Sequence, residues 1–258
     1  DLTYPGEART GLFQIKEALE WFDYQLKGKP YPHRLGVVEA YSIGDNKWKV
    51  WEDDIVTESH IVFYFDMDNA LSVEKPSDIG KTVFVYDPND PIKSLSFGLA
   101  KGSVYHPGPG ERKGIISFIS EPLTEDVRIA GQIGAELYVS SSAPATSFAI
   151  TVLEMFEDGK SVNIVDDITD IRWRDETGRE NYEPGSIVKL NMCMTDITWM
   201  LKKGSRLRID ISSSNYPLYH VHPNTEENWA CSTKRVTAEQ TIYYGNEYPS
   251  KIILPVND

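Results

Sequence analysis

The residues of this chain best suited to chemistry are its serine runs, its histidines and its paired carboxylates, and none forms a self-contained catalytic pattern. A serine hydrolase of the α/β type carries its nucleophile in G-x-S-x-G, which holds the hydroxyl on a strained strand-to-helix turn. No such pentapeptide occurs in the sequence. The runs Ser140-Ser141-Ser142 and Ser212-Ser213-Ser214 instead end strand-like segments, where hydroxyls satisfy backbone groups. The histidines are His33, His60, His106, His220 and His222. His220-Val221-His222 puts two rings on one side of an extended segment, and Glu226 and Glu227 are potential donors nearby. A metal centre needs three or four ligands, and the sequence does not complete the set, so a surface loop is expected there.

Carboxylates recur as doublets at Asp53-Asp54, Asp166-Asp167 and Glu226-Glu227. Glycosidase chemistry needs two carboxyls facing each other about 5–10 Å apart. Neighbours on a strand point to opposite faces, so a doublet does not supply that geometry. Solvated loops are expected, with Asp166-Asp167, between strand segments, the one candidate for a cation site. Gly108-Pro109-Gly110 lacks the Lys-Ser/Thr of a phosphate loop, and its proline removes a needed N–H. Cys193 and Cys231 show no zinc or redox spacing; they read as ordinary buried thiols in a protein of a reducing, cytosolic compartment.

The elements that would position these residues are mostly strands. The first segment is the exception: Ile15, Ala18, Leu19, Phe22 and Leu26 recur at helical spacing and predict a helix over 11–27. Gly28 supplies its C-terminal cap, and Pro30 and Pro32 forbid continuation. Its apolar stripe needs a partner, and the β-sequence that follows offers none. Strands are expected at 35–41, 48–51, 61–65, 83–86, 115–119, 129–139, 146–156, 161–165, 187–194, 207–213, 240–244 and 252–256. Glu157-Asp158-Gly159-Lys160 marks a hairpin turn, and residues 87–114, rich in Pro, Gly and Ser, read as one long loop. Many short strands and one helix predict an all-β, two-sheet jelly-roll sandwich.

Bulk properties narrow the function classes. The 258 residues carry 26 basic and 39 acidic side chains, a formal net charge of −13. Nucleic-acid binding draws most of its affinity from neutralising phosphates and is excluded by that balance. No apolar run approaches the roughly 20 residues a membrane-spanning helix needs, so no membrane partner is expected.

Five stretches, taken in order, resemble one family over nearly the whole chain. They are 86–91 (YDPNDP), 120–143 (from SEPLT to LYVSSSA), 170–176 (DIRWRDE), 201–217 (from LKKGSRLR to SSSNYP) and 248–255 (YPSKIILP). The set resembles the C-terminal, galactose-binding-like jelly-roll domain of the cocaine esterase, X-prolyl dipeptidyl-peptidase and α-amino-acid ester hydrolase family (CocE/NonD type). The resemblance implies a parent enzyme with an N-terminal α/β-hydrolase domain carrying a Ser-Asp-His triad. Residues 18–28 resemble the helix that closes that domain just after the triad histidine. Residues 1–32 are then its C-terminal tail and 33–258 the jelly roll, with residue 1 shortly downstream of the histidine. This chain alone would catalyse nothing.

In the family the jelly roll braces the hydrolase domain, and one of its loops helps wall the substrate pocket. Counting on from Tyr86, the corresponding residues here are Leu99, Ala100 and Lys101. Esterase members carry bulky apolar side chains there, so Ala100 and Lys101 speak against an aromatic ester. Gly204-Ser205, where relatives often have Gly-His, is a second departure. The implied partners are the hydrolase domain of the same polypeptide and, in the full-length enzyme only, a small ester or peptide substrate. No cofactor is implied, and the open helix stripe allows a homo-oligomer. A second reading is a free-standing carbohydrate-binding sandwich, in which Trp48, Trp51, Trp173 and Trp229 stack on sugars. A third, an independent enzyme using carboxylates or His220 and His222, would require turnover by the chain itself.

Overall fold

The computed structural model describes residues 12–55, 57, 59–95, 102–174, 178–228 and 231–257. It begins with one helix, α1 (Leu12–Lys27), at the predicted place. Gly28 ends it at a φ of 64°, a left-handed conformation that costs glycine little, and its N–H donates to Tyr24 O at 3.2 Å. Leu19, Phe22 and Leu26 remain exposed, Leu26 by 77 %. The helix is tied instead to the segment that follows it, through Trp21 and Tyr24 against the Tyr31 ring and a 2.9 Å contact from His33 Nε2 to Glu20.

Fourteen strands follow among the described residues. β1 (Val37–Ser42) and β2 (Lys47–Glu52) form a separate antiparallel hairpin. The rest are β3 (Ser59–Asp66), β4 (Ala70–Ser72), β5 (Gly80–Tyr86), β6 (Tyr105–His106), β7 (Ile116–Ser120), β8 (Val127–Ser141) and β9 (Ser147–Met155). β10 (Ser161–Asp170), β11 (Val188–Leu201), β12 (Arg206–Ser212), β13 (Ala238–Tyr244) and β14 (Lys251–Val256) complete the fold. They join in the order β5-β13-β8-β14-β3-β4-β7-β12-β9-β10-β6, with β11 also on β8.

That continuous path folds over on itself. Phe84 of β5 meets Phe148 of β9 edge-on at 6.5 Å, although many strands separate them along the sheet. Phe65 of β3 stacks on Phe118 of β7 at 4.3 Å, and Phe118 meets Tyr244 of β13 at 6.0 Å. These contacts cross the interior between two layers, so the architecture is the expected β-sandwich. Strand alternation supplies the core: Ile133, Ala135, Leu137 and Val139 of β8 point inward, with the half-buried Gly134, Glu136 and Tyr138 alternating between them.

All twelve predicted strands are present, and the hairpin turn sits at Gly159, whose φ of 83° the turn requires. Two differences are physical. β4 has only three residues and takes its only parallel neighbour from β7, too short a run to show a period. The segment read as one long loop contains β6, which pairs with β10, and a bridge from Lys93 to Tyr216. Among the described residues no helix is long and apolar enough to cross a membrane.

Candidate functional site

Leu99, Ala100 and Lys101 lie outside the described residues, but the two ends of their loop are well defined. On the incoming side, Ile92 N–H donates to Ser214 Oγ at 2.9 Å and Ser94 N–H to Tyr216 O at 2.7 Å. On the outgoing side, Val104 N–H donates to Asn163 Oδ1 at 2.8 Å. Arg112 links the two by donating to Lys93 O at 2.8 Å. Several hydroxyls of the serine runs satisfy backbone groups as expected, while Ser213 Oγ is buried without a partner among the described residues. Ser214 receives the loop, Ser142 Oγ accepts from Glu239 N–H, and Ser141 Oγ from Ala143 N–H.

Beneath this loop β12 presents Arg208 and Asp210, side by side because residues two apart share a strand face. The guanidinium grips the carboxylate as a fork, Nε to Oδ1 and Nη2 to Oδ2, both at 2.8 Å. Both side chains are buried, and Ser117 Oγ adds a 2.6 Å bond to Asp210. Arg208 Nη1 also donates to Pro107 O at 2.8 Å, which joins the buried pair to the outgoing end of the loop. His106 Nε2 is buried with no hydrogen-bond partner among the described residues, and burial holds this imidazole below its ordinary pKa. A crevice of about 20 Å³, room for a single water, opens between His106, Arg112 and Asp210.

The doublet Asp166-Asp167 is not in a loop between strands. Both residues lie within β10, which runs on to Asp170 because its later half pairs with β9 from Thr151 to Ser147. Burial pushes the Asp166 carboxyl upward, against a hydrogen bond from Tyr219 that lowers it, and burial raises Asp167 as well. Among the described residues no group of three His, Cys, Asp or Glu side chains is placed to hold a metal. A folded-state pKa above the unfolded value favours the protonated form, so stability is lost as pH rises through it. Asp166→Asn, which still accepts from Tyr219, is therefore expected to raise Tm at pH 7 by about 2–4 °C. The gain should disappear at pH values below the ordinary aspartate range, and thermal melts at both pH values check it.

The histidine pair is also corrected. His220 is exposed, but His222 is only 3 % exposed, drawn inside because Asp170 at the end of β10 gives its ring a partner. Nε2 lies 3.1 Å from Asp170 Oδ2, and Nδ1 accepts from Asn224 N–H at 3.0 Å. Burial would raise the Asp170 carboxyl, but bonds from His222 and Arg172 outweigh it and hold the group below its ordinary value. Cys193 and Cys231 are exposed, not buried; Cys193 falls at an outward position of β11, facing Gln132 across the ladder. Trp48, Trp51 and Trp173, the described members of the set considered for sugar stacking, do not share one concave patch. Trp48 and Trp51 are half-buried on opposite faces of the β1–β2 hairpin, Trp173 lies beyond β10, and Trp229 is outside the described residues. Trp199, not singled out in the sequence, is the large buried one, donating from Nε1 to Glu154 at 2.8 Å.

A jelly-roll sandwich with an exposed apolar helix stripe and a loop anchored at both ends has the form of an accessory domain. Residues 64–253 match the family described as the X-Pro dipeptidyl-peptidase C-terminal non-catalytic domain, and the chain belongs to that family. It is 27 % identical over 278 residues to the cocaine esterase of Rhodococcus sp. (strain MB1 Bresler), covering 98 % of this chain and 47 % of that protein. The chain thus spans about half the length of this curated relative. An aminopeptidase from a marine sediment Thaumarchaeota archaeon shares the fold, with a TM-score of 0.78 at 21 % identity over 95 % of this chain and 44 % of its own. An α-amino acid ester hydrolase does so with a TM-score of 0.75 at 22 % identity, over 92 % and 44 %.

Proposed function

We propose that this chain serves as the C-terminal part of a serine hydrolase acting on a small ester or peptide, bracing an α/β-hydrolase domain of the same polypeptide. Residues 1–32 are in this reading the tail of the hydrolase domain, and 33–258 the accessory jelly roll. The observation that carries it is α1: Ile15, Leu19, Phe22 and Leu26 form an apolar stripe that stays exposed, 55–77 % each. An uncovered stripe of this kind marks an interaction surface, and in relatives about twice as long a further domain is available to cover it.

The loop carrying Leu99, Ala100 and Lys101 reaches toward the active site in this reading and forms part of its wall. Its rigid base suits that task, because a wall that sets specificity must hold its position. Lys101→Ala in the full-length enzyme is expected to change kcat/KM for a charged substrate by about tenfold, mostly through KM. Steady-state kinetics on a panel of neutral and charged esters and peptides tests this. Unchanged constants across the whole panel would remove the loop from the pocket. The carbohydrate-module reading has no comparable support, because Trp48 and Trp51 lie on the β1–β2 hairpin and Trp173 lies beyond β10.

A further inference from the structure

One cleft outside the loop region is built from residues that the accessory role does not use. It has a volume of about 250 Å³ and lies where the end of β10 meets the loop after His222. Its floor is a closed unit. Asp170 accepts from His222 Nε2 and from the backbone N–H of Arg172 at 2.8 Å, and the Arg172 guanidinium lies 3.4 Å away. His222 accepts at Nδ1 and so donates at Nε2, which makes it a neutral ring in this arrangement. The floor is therefore rigid and electrically balanced without a ligand.

The rim differs. Trp173 is 52 % exposed and stands at the side of the cleft. Arg179, Glu226 and Glu227 are all exposed around the mouth, and none makes an ion pair with another or with any other described residue. Opposite charges are thus held apart around one opening beside an aromatic face. A simple anion is disfavoured because two rim carboxylates, Glu226 and Glu227, face the single rim guanidinium of Arg179, and by the net charge of −13. A bare metal ion lacks a three-donor group among the described residues and would meet Arg179. A neutral sugar would leave the separated charges unmatched.

The ligand that matches both signs at once is a zwitterion. A cleft of about 250 Å³ has room for more than one amino-acid residue, and an extended dipeptide spans about 7 Å. We propose that this cleft binds a short zwitterionic peptide, with its ammonium group against Glu226 and Glu227, its carboxylate on Arg179 and a side chain along Trp173. The cleft shares no lining residue with the crevice at the base of the loop, and the inference goes beyond the accessory role and does not depend on it.

The test uses the chain itself, titrated with alanyl-phenylalanine and followed by amide and indole N–H resonances. The expected result is saturable binding with a Kd of about 1 mM, with the Trp173 indole among the shifted signals. N-acetylation or C-amidation of the peptide should each weaken binding about tenfold, as should Arg179→Gln and the double variant Glu226→Gln/Glu227→Gln. These side chains are exposed, so the rest of the spectrum should stay unchanged. No saturable shift at concentrations about tenfold above that Kd would overturn the proposal. Equal binding of the blocked peptides, or binding of glucose or galactose at these signals in place of the peptide, would overturn it as well.

Discussion

Arg208→Ala is expected to lower the unfolding free energy by about 3–5 kcal/mol, the cost of leaving one member of a buried ion pair without the other. Asp210 would keep only the Ser117 hydroxyl and lose both arms of the guanidinium fork, in a place where it is 5 % exposed. The same substitution frees Pro107 O and the Ser161 hydroxyl, so the outgoing end of the pocket loop loses one of its tethers. Chemical denaturation measures the first effect, and faster hydrogen exchange at residues 104–108 reports the second. A double variant, Arg208→Met with Asp210→Leu, should cost less than the single change, because no charge is then left buried. If Arg208→Ala were nearly silent, the pair would not be holding the loop base.

The second large effect concerns α1. Leu19 and Phe22 are 62 % and 55 % exposed, and covering what remains open of two such side chains contributes about 2–4 kcal/mol, to which burying two glutamates in their place adds a penalty. Leu19→Glu with Phe22→Glu is therefore expected to weaken docking on a separately produced hydrolase domain by more than about 100-fold. The fold of the sandwich should be unaffected, since the α1 residues that contact the following segment are Glu20, Trp21, Asp23 and Tyr24. Calorimetric titration of the two chains reads the affinity, and a melt of each variant reads the fold. Undiminished affinity would place the contact elsewhere on the molecule.

How far these features were legible depends on whether the information is local. α1 announces its own stripe, its Gly28 cap and its lack of a neighbour, so its exposure followed from spacing alone. Long strands such as β8 and β11 show a two-residue alternation over most of their length, and the turn at Gly159 has its own chemistry. The buried polar groups were not legible. In Leu207-Arg208-Ile209-Asp210-Ile211 the alternation suggests a polar outer face, but residues 92–95 and 106–112 lie against that face and the pair is buried. Nothing near Asp170 in sequence shows that His222, from a distant loop, will close on it. Exposure of Cys193 likewise depends on which face of β11 looks outward beyond the register shift between Cys193 and Asp196.

The most direct test of the central claim is whether this chain hydrolyses anything by itself. The purified chain would be given a p-nitrophenyl ester and an X-Pro-p-nitroanilide, with a serine-reactive fluorophosphonate alongside. The accessory-domain account predicts turnover at the buffer rate and no labelled serine. Turnover that tracks the labelling of a single serine would contradict it and place a nucleophile within these 258 residues.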